Sequence, residues 1–142
     1  MVELTAQEAI TLLKTDEEKF RAFEAQRQQL IIALQEISLA KGNLDIIPNK
    51  QESALVPIGA GVFLPVTTKE AKVNVEVGMG VVLEESLGGA SELLNKREEL
   101  IKNNLTELEK EMEKISSRIR NLGDKIKTYM EQQRPDNVPV IG

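Results

Sequence analysis

Two Gly-x-Gly triplets, Gly59-Ala60-Gly61 and Gly78-Met79-Gly80, have the spacing that first invites a chemical reading, because paired glycines let a backbone close around a phosphate. A phosphate cradle also needs a helix opening directly after the glycines, with a Lys in the loop or an acid further along. Here the triplets run into Val62-Phe63-Leu64 and Val81-Val82-Leu83, with no Gly-Lys-Ser/Thr. They are read as hairpin turns. Covalent chemistry has little else to use: the chain has no His and no Cys, which removes imidazole acid/base work, thiolates, disulfides and the usual zinc ligand sets. Carboxylates are abundant, 23 Asp and Glu against 18 Lys and Arg, but they are interspersed with cations and no pair marks a cleft. No catalytic residue, cofactor or metal ligand is expected.

The remaining chemistry is non-covalent capture by apolar side chains. Leu4, Ile10, Leu12 and Leu13 stand near the chain start, and Ile126, Tyr129 and Met130 precede Pro135. Beyond that proline, Val138, Val140 and Ile141 add three β-branched residues in a segment that cannot continue a helix. Ile10, Leu13, Ile126 and Tyr129 also fit ordinary seam packing, whereas Leu12 and Met130 sit beside the seam and stay available when it is closed.

Two helices must position these groups. Leu105, Leu108, Met112, Ile115, Ile119, Leu122, Ile126 and Tyr129 fill successive a and d positions of a heptad, and a strict a/d seam fits one partner helix. The partner is expected in the same chain, where Leu13, Phe20, Phe23, Leu30, Leu34, Ile37 and Leu44 keep the same repeat. Asp16, Arg27 and Lys41 interrupt that first seam and each needs a partner or solvent. Thr5-Ala6-Gln7-Glu8 reads as a capping box. The first helix is placed at about 5–43, with stop signals from Gly42, Asn43 and Pro48, and the second at about 87–133, with Gly88 and Gly89 weakening its first turn. Antiparallel pairing would match Leu44 with Leu94 and Phe20 with Ile119, and would bring both termini to one tip.

Between the helices, about 53–84, the period falls from 3.5 to 2. Lys72-Val73-Asn74-Val75-Glu76-Val77 alternates, and a repeat aligns Val56 to Leu64 with Val75 to Leu83, each a strand, a Gly-x-Gly and a strand. Two tandem β-hairpins follow. Isolated hairpins are marginal in water. Leu55, Ile58, Val62, Phe63, Val66, Val73, Val75, Val77, Val81 and Leu83 offer more apolar surface than two helix ends can cover, so an oligomeric hub built from several subunits is expected. The fold class is thus α+β: a long antiparallel two-helix coiled coil joined by two β-hairpins that assemble with other subunits into a shared hub, which the resemblance described next implies is a β-barrel hub. Residues 1–142 form one domain with a tail at 134–142.

The motif Val56-Pro57-x-Gly59-x-Gly61-Val62-Phe63-x-Pro65, followed by Val75-x-Val77-Gly78-x-Gly80-Val81-x-x-Glu84, resembles the prefoldin family of chaperones, and its second hairpin resembles the α class. The resemblance spans essentially the whole chain. It implies a heterohexamer of two α and four β subunits, with the prefoldin β subunits completing a double β-barrel. It implies further that unfolded client proteins are held at the coiled-coil tips without ATP and passed to a group II chaperonin. A static coiled-coil scaffold or spacer without client binding would carry the same helices.

Other partners are disfavoured. A net charge of −5 with interspersed lysines leaves no basic stripe for nucleic acid. No apolar stretch approaches the ~20 residues of a membrane span, and the N-terminus lacks a signal-peptide pattern. The expected location is cytoplasmic.

Overall fold

The computed structural model describes residues 4–47, 53–67 and 72–133. Helix α1 (Ala6–Ile46) leads to strands β1 (Ser53–Gly59), β2 (Val62–Thr67), β3 (Lys72–Gly78) and β4 (Val81–Ser86), and helix α2 (Leu87–Gln132) closes the order. The chain divides into two compact units, one formed by the segments ending at Ile31 and beginning at Asn103, the other by Ile32–Lys102.

The ends of the helices follow from their capping chemistry. Glu8 N–H donates to Thr5 Oγ1 at 3.1 Å while Thr5 N–H donates to Glu8 Oε2 at 3.2 Å, the reciprocal pair of a capping box. α1 passes through Gly42 and Asn43 and ends at Ile46, three residues beyond the stop expected at about 43. One interior glycine costs only about 1 kcal/mol against alanine, too little to end a helix whose next seam residue, Leu44, is half-buried and lines a groove with Val73 and Leu94. At the other junction β4 runs into α2 with no intervening loop. Ser86 Oγ accepts from Gly89 N–H at 3.0 Å, and this cap offsets the helix weakness of Gly88 and Gly89.

Within the first unit the helices are antiparallel, since Asp16 meets Arg118 while Arg27 meets Glu109. Leu108, Met112, Ile115 and Leu122 are its buried seam residues on α2, and Phe20 and Ile119 line one shallow groove as the matching of repeats predicts. Ala9 is fully buried, a seam position that the sequence reading passed over because alanine contributes little to an apolar pattern. Its neighbour Ile10, a candidate tip residue for which seam packing was the alternative, is exposed.

Within the second unit Lys41 reaches Glu98, and Leu44 and Leu94 share a groove. β1 pairs with β2 and β3 with β4, both antiparallel, giving two separate two-stranded sheets. Each turn has two central residues at positive φ, Ala60 (50°) with Gly61 (78°) and Met79 (51°) with Gly80 (76°). Both signs match a type I′ turn, whose twist suits a hairpin. Gly61 and Gly80 fill the second positive position at no steric penalty, while Ala60 and Met79 are held there against their preference.

A β-branched residue in left-handed backbone costs about 1–2 kcal/mol. Gly80→Val is therefore expected to speed amide hydrogen exchange across β3 and β4 by about tenfold, whereas Gly80→Asn, which tolerates this conformation, leaves it nearly unchanged. Equal exchange in both variants would show that the turn does not control the hairpin.

Candidate functional site: helix ends and exposed hairpins

The open end of the helix pair is built from the start of α1 and the end of α2. Tyr129 Oη donates to the Leu4 carbonyl at 2.7 Å and ties the segment before α1 to α2. Tyr129, Ile126, Leu13 and Leu4 are half-buried, so they close the end as well as line it. Leu12 is half-buried in a shallow groove with Leu4, Gln7, Thr11 and Thr15, and Ile10 is exposed nearby in sequence. On α2, Met130 is 68% exposed and lines a depression of about 560 Å³ with Gly123, Ile126 and Lys127. Seven of the ten expected tip residues are thus gathered in the first unit. Val138, Val140 and Ile141 lie outside the described residues.

Behind this end sits the one fully buried charged group among the described residues. Asp16 is 1% exposed, and its carboxylate accepts from Arg118 Nε and Nη2, both at 2.6 Å. The fork geometry satisfies both carboxylate oxygens, which a buried charge requires. Arg118 is half-exposed, so its positive charge stays solvated while it pairs. The hydrogen bonds that Arg118 donates to Asp16, and the negative charge of that carboxylate, raise the Arg118 pKa above its ordinary value. The other two polar seam residues find partners as well: Arg27 lies 3.5 Å from Glu109 and Lys41 lies 3.4 Å from Glu98. Each interruption of the α1 seam is therefore an interhelical ion pair. Glu98 holds Lys102 at 3.1 Å too, and these bonds, led by that from Lys102, lower its pKa.

The hairpins carry the other candidate surface. Leu55, Ile58, Val62, Phe63, Val77, Val81 and Leu83 are exposed, whereas Val66, Val73 and Val75 are half-buried. Val73 and Val75 line a groove of about 700 Å³ with Ala40, Leu44, Ala90 and Leu94, so part of the expected hub surface is covered by the chain's own helices. An Arg97 guanidinium N–H donates to the Glu76 carbonyl and fastens β3 to α2. Sequence reasoning missed Val56, Leu64, Val82 and Met79, all exposed, the last completely. Their alternation with the predicted set was the available signal: both faces of β1 and β2 are apolar, as in strands covered on two sides.

Among the described residues no group of three or more His, Cys, Asp or Glu could hold a metal ion, and no helix is long and apolar enough to cross a membrane. A family model of prefoldin subunits matches residues 17–132. The chain belongs to the prefoldin family. It is 31% identical over 126 residues to a prefoldin subunit alpha of Thermofilum pendens, covering 88% of this chain and 96% of that one. A prefoldin subunit alpha of Archaeoglobus fulgidus is 29% identical over 123 residues, covering 84% and 85%. Both relatives agree with the α-class reading of the two hairpins. In fold, this prefoldin chain is similar to the crystal structure of the prefoldin beta subunit from Thermococcus strain KS-1, with a TM-score of 0.63 at 15% identity over 95% of this chain and 97% of that one. It is also similar to filamentous prefoldin from Methanocaldococcus jannaschii, with a TM-score of 0.57 at 19% identity over 84% and 98%.

Two outcomes test the ion pairs. Arg118→Met strands a buried carboxylate and is expected to destabilise by about 3 kcal/mol, while the double change Asp16→Leu with Arg118→Met recovers most of that loss in urea unfolding. For Glu98, the folded pKa lies below the unfolded one, so its contribution is present above the ordinary carboxylate range and is lost as pH falls through the depressed value. Stability measured on acidification below about pH 5 should fall more steeply in the wild type than in Glu98→Gln.

Proposed function

We propose that this prefoldin chain is the α subunit of an ATP-independent holdase. It assembles with prefoldin β subunits into a heterohexamer of two α and four β, grips unfolded polypeptides at the helix ends and delivers them to a group II chaperonin in the cytoplasm. The observation that carries this reading is the pair of apolar depressions at the open end, one at Leu4 and Leu12 and the other at Ile126 and Met130. Family membership supports the coarser conclusion that the chain is a chaperone subunit.

The chemistry asked of such a site is weak and repeated. An unfolded segment offers scattered apolar side chains, and no single contact needs to be strong when several subunits present the same surface at high effective concentration. Met130 suits this task because an unbranched thioether adapts to varied partners. Leu12 offers a firmer wall on the other helix. Tyr129 and the Asp16–Arg118 pair join the two helices near this end and so hold the depression of each helix at the same end. The exposed apolar hairpins support assembly, since neither two-stranded sheet can stand alone in water.

The decisive experiment measures suppression of aggregation of a denatured client by the complex with the cognate β subunit, comparing wild type, Leu12→Ser with Met130→Ser, and a chain lacking 134–142. The double variant is expected to need about tenfold more complex for equal protection, with the oligomer intact by native mass spectrometry. Unchanged protection would remove both side chains from client capture. A wild-type oligomer that protects no client would favour the static scaffold, and unchanged protection by the truncated chain would exclude Val138, Val140 and Ile141 from the grip.

A further inference from the structure

α1 is far less one-sided than α2 in its apolar pattern, although both contribute to the same kind of seam. The reason lies on the face opposite that seam. Ile32, Leu39 and Ile46 recur every seven residues at the outermost heptad position, and all are exposed, Leu39 at 67% and Ile46 at 78%. The same position earlier in α1 holds Thr11, Glu18 and Ala25, so the apolar stripe begins where the second unit begins. Between the stripe residues, Gln35 and Gly42 continue a second a/d-like row without a charge.

Single exposed apolar residues are ordinary. Three in register over ~21 Å of helix, at 1.5 Å per residue, are a second seam. A seven-residue spacing is read by another helix, since an extended strand repeats every two residues and cannot keep step with it. Leu100 of α2, exposed in the same unit and level with Leu39 in the register that Lys41 and Glu98 set, adds apolar surface at that height. The stripe shares its unit with the exposed apolar hairpins, the surface proposed above for assembly, and it ends where α1 gives way towards β1.

We infer that the outer face of α1 at Ile32, Leu39 and Ile46 docks a helix of a neighbouring prefoldin subunit in the same oligomer, extending the hairpin interface onto the coil. This rests on the assembly proposed above. The contact would restrain the base of the helix pair while leaving the residues before Ile31 and after Asn103 uncontacted, so mobility at the client-gripping end and rigidity at the hub would be set by one stripe.

The chain contains no cysteine, so Leu39→Cys gives a single labelling site. A benzophenone attached there, in the complex with the cognate β subunit, should crosslink to a helical peptide of another subunit. The same label at Glu18→Cys, an exposed position of the same heptad row, should not. Replacing Ile32, Leu39 and Ile46 together by Gln should speed subunit exchange by about tenfold or more with helicity by circular dichroism unchanged, because none of the three is buried within the chain. Adducts only with added denatured client or with chaperonin, or unchanged exchange in an oligomer that still forms, would overturn this contact and leave the proposed function standing. A wild-type chain that never assembles with the β subunit would overturn both.

Discussion

The seam between α1 and α2 is one side chain deep, and the rest of the molecule depends on that thinness. A two-helix layer buries only the residues at its a and d positions, so the apolar core comes down to a short row of residues including Leu108, Met112, Ile115 and Leu122. Most of the other described apolar side chains are left at or near the surface. In an ordinary globular domain such exposure would be a defect; here it leaves apolar surface in two places, at the helix ends and on the hairpins.

A thin seam is also easy to slip, because one heptad resembles the next. Asp16, Arg27 and Lys41 answer this by placing an ion pair at three heights, with partners Arg118, Glu109 and Glu98. The three are not equivalent. Arg27 and Lys41 are in partial contact with water and contribute little each, whereas Asp16 has no access to water and would be stranded by any shift of register. A buried pair of this kind adds little net stability, and breaking it by removing one partner is costly. That cost keeps Met130 and Leu12 at the same end.

Much of this architecture was legible in the sequence. The heptads, the change to a two-residue period and the paired Gly-x-Gly triplets named every element, because each reflects local geometry that the chain repeats. The stop of α1 was misplaced because Gly42 weakens a helix without forbidding it, and the burial of Leu44 outweighs that weakness. The burial of Ala9 was not legible, because so small a side chain contributes little to an apolar pattern; Ile10, singled out for the tip with seam packing as its alternative, is exposed. The periodicity already separated Tyr129, which fits the seam, from Leu12 and Met130 beside it; the structure half-buries Tyr129 and leaves Met130 exposed, but it also half-buries Leu12, which periodicity alone did not show.

The sequence by itself determined the secondary structure, the need for a helical partner and the absence of imidazole and thiol chemistry, since these follow from residue type and period alone. Only the tertiary structure decided which charges meet, because Asp16 and Arg118 stand 102 positions apart and nothing local ties them together. It decided as well that Val73 and Val75 are partly covered by the chain's own helices while the outer row of Ile32, Leu39 and Ile46 is not. Burial is a property of what stands opposite a side chain, and a linear order of residues does not contain that.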